Sequence, residues 1–312
     1  MDAPVPPPSP RGPLFIISGR AGRLANRLVL FANFIALATE RGYRVMNPTF
    51  HSYATLFETT RRDIYCRYPV AGHGSAFDLI PGAAALVRGT RVFFHVARTA
   101  SVLNERLPMF GGRVVTLRET PGTEITDLAG PEVEAKVRGA SVVLVNGWMF
   151  RAPQLLHRHG DGIRRYFRPV EMLRKASREA VARLRQNADV VVGVHVRRGD
   201  YATWKNGQYL FPLSCYAAWT RELGDQFGGK RVAYLLCSDE PLDAGEFSGL
   251  PIASGPGSAA ADLYALAECD YVFGPPSTFS QWASFYGNKP LLHLTDSHQS
   301  VELGRFAVSD LV

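Results

Sequence analysis

Short apolar runs and stretches of helical periodicity take turns along this chain, and each run stops at glycine or at polar residues. Residues 14–18 read as a buried strand that enters a turn over 19–27. Leu28, Phe31, Ile35 and Ala38 then recur at helical spacing as far as Gly42, a C-terminal stop, and 43–46 form a second short strand. This opening is a strand–helix–strand unit. From 48 to 140 the pattern loosens: strands are predicted over 91–96 and 113–117, and a clearer one over 141–146. Met172, Ala176, Ala180, Val181 and Leu184 predict a helix over 170–186 with these side chains on one face. The second half then alternates cleanly: strand 190–194, helix 212–227, strand 232–237, helix 258–268, strand 271–274, helix 280–286, strand 290–294. Such alternation predicts an α/β chain on parallel, doubly wound sheets. The Pro-rich stretch 1–12 predicts a disordered lead-in, followed by one domain over 13–168 and a second over 169–312.

Composition narrows the class. Of 312 residues, 46% are hydrophobic and 20% charged, which is ordinary for a globular protein and excludes wholesale disorder. The net charge of +7 favours anionic partners, but the 35 Lys and Arg residues are dispersed without a basic block, which argues against nucleic acid. No apolar run approaches the roughly 18–20 residues of a membrane-spanning helix. Met1-Asp2-Ala3-Pro4 opens no secretory pattern. Cys66, Cys215, Cys237 and Cys269 lack C-x-x-C spacing and read as free thiols of a reducing compartment. A cytoplasmic protein is expected, with a charge compatible with peripheral contact to the acidic inner face of a membrane.

The densest chemistry follows the β-branched run 190–194, in His195-Val196-Arg197-Arg198-Gly199-Asp200-Tyr201. In an open parallel sheet, ligands bind beyond the carboxyl ends of the strands. Two guanidinium groups there suit an anion with paired oxygens, such as a pyrophosphate, because arginine presents a flat fork of donors. The alternative is a surface ion-pair network of Arg197, Arg198 and Asp200. Ser238-Asp239 and Gly274-Pro275-Pro276-Ser277-Thr278-Phe279-Ser280 end two further strands facing the same crevice. Ser277, Thr278 and the N–H groups of the following helix suit an anion, or simply cap that helix. Near the N-terminus, Gly19-x-x-Gly22-x-x-Ala25 departs from G-x-G-x-x-G, and the second strand ends at Asn47 instead of an acidic residue. A nicotinamide dinucleotide site is therefore disfavoured. With Arg23 and Asn26 the turn suits a phosphate or a sugar hydroxyl, or is a plain helix start. The sequence contains no Asp-x-Asp, H-E-x-x-H, phosphate-loop or nucleophile-elbow pattern.

His195 to Tyr201 resembles the H-x-R-R-G-D-Y motif of the α1,2-fucosyltransferases, family 11 of the glycosyltransferases, and is similar to the related α1,6- and protein O-fucosyltransferases. Gly22-Arg23-Leu24-Ala25-Asn26-Arg27 resembles that family's G-x-L-G-N-Q motif. Asp262-Leu263, with Ser277-Thr278-Phe279-Ser280-Gln281-Trp282-Ala283, resembles its C-terminal S-S-F-S-W-W-A region. The chain departs from these motifs at Ala25, Arg27 and Gln281.

The resemblance implies a GT-B arrangement: two Rossmann-like, doubly wound domains facing across a cleft, the first on the acceptor side and the second binding a GDP-sugar. It implies GDP-fucose as donor, a glycan or glycoconjugate acceptor, inversion at the anomeric carbon, an α1,2 linkage and no metal. By the same resemblance, Arg197 holds the β-phosphate, with Arg198 beside it, and His195 and Asp262 position the guanosine. Ser277, Thr278 and Phe279 contact nucleotide and phosphate, and Asp239 touches ribose or guanine. Asn26, with Gly22 and Arg23, reaches phosphate or acceptor. Residues 202–210 contain no carboxylate, so Asp200 is either the catalytic base or an ion-pair partner that orients Arg197. Other readings are a transferase using another GDP-sugar, a nucleotide-dependent oxidoreductase and a non-catalytic polyanion-binding protein.

Overall fold

The apolar runs form two sheets, each in its own unit and parallel apart from one short edge strand. The computed structural model describes residues 12–19, 22–70, 83–107, 112–119 and 125–311. It divides into a unit ending at Val170 and another spanning Glu171 to Leu311. Apart from Gly12, the Pro-rich lead-in lies outside the described residues.

In the N-terminal unit, β1 (Leu14–Ile17), α1 (Leu24–Arg41) and β2 (Arg44–Met46) make the expected strand–helix–strand opening. Almost every α1 residue from Leu24 to Ala38 is buried, and Gly42 ends the helix in the left-handed conformation (φ 68°), which costs glycine little. Two-residue β3 (Arg67–Tyr68) runs antiparallel to β2. Next come α2 (Ala83–Arg106), β4 (Val114–Arg118), β5 (Thr126–Asp127), α3 (Pro131–Val137), β6 (Val142–Asn146), β7 (Phe150–Arg151) and α4 (Pro153–Tyr166). The sheet order is β3-β2-β1-β6-β4, and β5 and β7 form a separate small pair.

The strand expected over 91–96 is instead the middle of α2. Leu86, Thr90, Phe94, Ala97 and Ser101 are buried at steps of four, four, three and four, while Val92 and Val96 are 59% and 60% exposed. The β-branched run outweighed the helical periodicity around it, and tertiary burial follows the periodicity.

The C-terminal unit contains α5 (Glu171–Arg185), β8 (Val190–Val196), α6 (Leu213–Asp225), β9 (Val232–Ser238), β10 (Ile252–Ser254), α7 (Ala259–Glu268), β11 (Tyr271–Gly274), α8 (Thr278–Gly287) and β12 (Leu291–His293). Its sheet has the order β10-β9-β8-β11-β12, and every pairing is parallel. Chain order therefore reverses between β8 and β11, a topological switch point of the Rossmann kind. All seven residues of the central strand β8 are buried. Val190, Val192, Val194 and Val196 join Tyr216, Trp219 and Leu223 of α6 in one core, so the period-two alternation sends His195 to the opposite face. On α5 the buried positions are Leu173, Ser177, Ala180 and Val181. Met172, expected on that face, is 75% exposed, because the stripe is set one residue further on. All four cysteines are free. Among the described residues, no helix is long and apolar enough to cross a membrane.

Candidate functional site

The carboxyl end of β8 holds a guanidinium between two carboxylates. Arg197, whose side chain is 15% exposed, reaches Asp200 Oδ1 through Nη2 at 2.5 Å and Asp239 Oδ2 through Nη1 at 2.9 Å. The register of β8 on β9 pairs Val196 with Ser238, which brings Asp239 alongside from the next strand. The other Asp239 oxygen accepts the backbone N–H of Arg198 (3.0 Å), and the Arg198 side chain pairs with Glu240 at 3.6 Å. Gly199 permits this close approach, since a Cβ there would lie 2.5 Å from Asp239 Oδ2.

Tyr201 ties this corner to the start of α8. Arg197 lies over its ring, 5.5 Å from the centroid, and its hydroxyl donates to the Pro276 carbonyl. Burial pushes the Tyr201 phenol up to about 12. Ser277 caps α8, its Oγ accepting the Phe279 N–H at 3.2 Å, so one hydroxyl expected for an anion serves the helix. Thr278 is the first residue of α8. The first-turn N–H groups still make this end electropositive.

Beneath the loop, His195 is 3% exposed and stacks on Phe279, with ring centroids 4.9 Å apart at 26°. Gly274 lets the chain pass over it, since a Cβ there would lie 2.3 Å from the His195 carbonyl oxygen. Burial, with the Arg197 charge, pulls the His195 imidazole down to about 3, so it is neutral near pH 7, and its Nδ1 is buried without a hydrogen-bond partner. His293, which shares a hydrogen bond with Ser280 Oγ (3.1 Å), is held at about 4 by burial. Asp262 sits in the first turn of α7, where its Oδ1 accepts the Gly257 N–H at 2.9 Å, and burial raises its pKa. It lies near the end of β9: a Cβ at Gly255 would lie 2.7 Å from both Asp262 Oδ1 and Cys237 Sγ.

The structure thus gathers His195, Arg197, Arg198, Asp200, Asp239, Ser277, Thr278 and Phe279 around neighbouring strand ends, with Asp262 beside the end of β9. Gly22, Arg23 and Asn26 belong to the N-terminal unit, at the start of α1. There a Cβ on Gly22 would strike Asn26 Nδ2 at 2.2 Å, and the Gly22 carbonyl accepts from Arg27 Nε at 3.1 Å. Glu240 and His293 carry no role in the sequence reading. The one signal for both was a charged or ring group directly after a strand's apolar core. Among the described residues, no group of three or more His, Cys, Asp or Glu is placed to hold a metal ion.

No protein-family model matches the sequence, and no curated protein matches it significantly. Solved structures do match. A mutant of FUT1 from Arabidopsis thaliana, in complex with GDP, superposes with a TM-score of 0.55 at 15% identity, over 95% of this chain and 73% of that one. What the two share is a fold. The fucosyltransferase NodZ from Bradyrhizobium follows, with a TM-score of 0.49 and 18% identity over 87% of this chain and 92% of that one. The α/β class with two Rossmann-like units, expected from the sequence, is the architecture observed.

Proposed function

We propose that this chain is an inverting glycosyltransferase that moves fucose from GDP-fucose to a hydroxyl of a glycan or glycoconjugate, forming an α1,2 linkage without a metal. The observation that carries this is the guanidinium of Arg197 at the switch-point end of β8, linked through Tyr201 to the start of α8. Charge that grows on a departing diphosphate is met there by a planar fork of donors and by a helix N-terminus. Support comes also from Arabidopsis FUT1, which shares this fold and was solved with GDP.

In this reading the acceptor oxygen forms a bond to the anomeric carbon as the bond to the β-phosphate oxygen breaks. The electron pair leaves with GDP, and the acceptor proton passes to a base. Arg197 takes the β-phosphate with Arg198 behind it. His195 and Phe279 form a buried stacked wall for the nucleoside, to which His195 offers its unpartnered Nδ1. Asp262 and Asp239 lie on the guanosine side, and Ser277 and Thr278 line the phosphate side. Asp200 orients Arg197, and to act as the base it must first release that guanidinium. Gly22, Arg23 and Asn26 serve the acceptor side.

Hydrolysis of a panel of GDP-sugars in the presence of EDTA tests the proposal. It expects GDP-fucose to be consumed well ahead of the others. Faster use of another GDP-sugar would change the donor, and failure to hydrolyse or bind any of them would overturn the reading.

A further inference from the structure

The N-terminal unit has a cavity of its own, of about 260 Å³, lined by Arg27, Thr49, His51, Arg91, Phe94 and His95. It opens where ligands of such sheets bind, past the carboxyl end of β2 and beside the first turn of α1. Four of these side chains are basic, and none of the described residues lining the cavity is acidic. Arg27 is fixed in place: Nε donates to the Gly22 carbonyl (3.1 Å), Nη1 donates to the Thr49 carbonyl, and Cζ lies 5.2 Å from the centroid of the Tyr53 ring. Arg91 and His95 stand one turn apart on α2, so helix geometry turns both toward one side. Phe94 lies buried beside them, with its ring 5.8 Å from that of His51. His51 engages Ser52 Oγ through Nδ1 at 2.9 Å, which leaves Nε2 for a ligand. Its proton affinity is lowered by burial and then by the charges of Arg27, Arg91 and His95. Like charges gathered around a part-buried space repel one another, and an anion bound among them relieves that repulsion.

We propose that this cavity binds one anionic group, a carboxylate, sulfate or phosphate carried on a sugar ring, and that the acceptor is therefore an acidic glycan. The anion site stands on the cavity itself, and its assignment to the acceptor rests on the glycosyl-transfer reading. The volume lies just below the range of about 300–1,000 Å³ usual for whole small-molecule sites, which suits a single charged residue of a longer glycan. Arg27 is also where the chain departs from the G-x-L-G-N-Q motif by exchanging a neutral amide for a cation, so the preference for charge belongs to this chain.

Histidine resonances of the full chain, assigned with single His→Gln variants, provide the test. They are followed during titration with methyl glucuronoside, with inorganic sulfate and with neutral methyl glucoside. The expected result is a saturable shift of the His51 and His95 signals with the uronoside and with sulfate, and none with the glucoside. The double variant Arg91→Gln/His95→Gln should weaken uronoside binding by about tenfold or more, the loss expected for removing charged hydrogen-bond donors. Response to sulfate but not to the uronoside would leave an inorganic anion site and overturn the sugar assignment. Equal response to the glucoside, or unchanged affinity in the double variant, would overturn the proposal outright. GDP titrated into the wild-type chain, read at His195 and His293, separates the two readings. A GDP response without uronoside binding removes this inference alone, and uronoside binding without a GDP response removes the transferase reading and the acceptor role with it.

Discussion

At the end of β8, Arg197 is already held between Asp200 and Asp239. Past the end of β2, Arg27, His51, Arg91 and His95 surround a cavity whose described lining contains no carboxylate. The sheets follow the same rule for where a ligand goes, but their charges are arranged in opposite ways. In the C-terminal unit the carboxylates set the orientation of the guanidinium, and in the proposed reading they would compete with a diphosphate for it. Geometry is gained there at the expense of attraction. In the N-terminal unit Arg27 and Arg91 face the cavity with no carboxylate in its described lining, and Arg27 is anchored by backbone carbonyls.

The largest effect expected from breaking this contrast lies under the N-terminal cavity. Phe94 is buried against His51, and Phe94→Ala should cost about 3–5 kcal/mol in urea denaturation. By contrast, Val92→Lys and Val96→Lys, on the exposed face of the same helix, should change stability by about 0.5 kcal/mol or less. A strand over 91–96 would put Val92, Phe94 and Val96 on one face and erase that contrast.

Next in size is Arg197→Ala. It should lower turnover by about a hundredfold to a thousandfold, as on removing one preorganised donor to a developing charge. Asp200→Asn, in the same assay, distinguishes the roles of that carboxylate. A loss of less than about tenfold fits an orienting ion pair, whereas about a hundredfold or more fits general-base work.

These residues were not equally legible in the sequence. The β8 corner could be read because a strand period and its terminal charges are contiguous from Val190 to Tyr201, and the matching strand ends at Asp239 and Ser277 follow the same rhythm. The cavity in the other unit could not. His51, Arg91 and His95 come from segments some forty residues apart, and the short rise of α2 is what brings Arg91 and His95 within one turn of each other. Read as a strand, 91–96 keeps Arg91 and His95 on one face but about 13 Å apart, too far to share one anion. Of the two partners of Arg197, Asp200 was legible from its place three residues on, but Asp239 was not, because the sequence shows it at a strand end without the β8–β9 register that presses it against the guanidinium.

Acid acts through two histidine rings. His195 and His293 have folded-state pKa values of about 3 and about 4, below the roughly 6.5 of an unfolded chain. A depressed histidine pKa means that the unfolded chain binds the proton first. Stability is therefore full above about pH 6.5 and falls as pH drops toward 4, by up to about 1.4 kcal/mol per pH unit for each ring. Urea denaturation at pH 7, 6 and 5 should show this slope, and His293→Asn should reduce it. The smallest change is at the rim: Glu240→Gln removes a partly exposed charge beside Arg198 and should tighten GDP binding by about twofold to threefold.

Calorimetric titration of GDP into the wild-type chain and into Arg197→Lys, both with EDTA, tests the central claim most directly. The account predicts metal-free binding to the wild type and a loss of about tenfold or more in the lysine variant, since a point charge cannot replace the fork held by Asp200 and Asp239. Equal affinity in the two proteins, or GDP binding that appears only when a divalent cation is added, would contradict it.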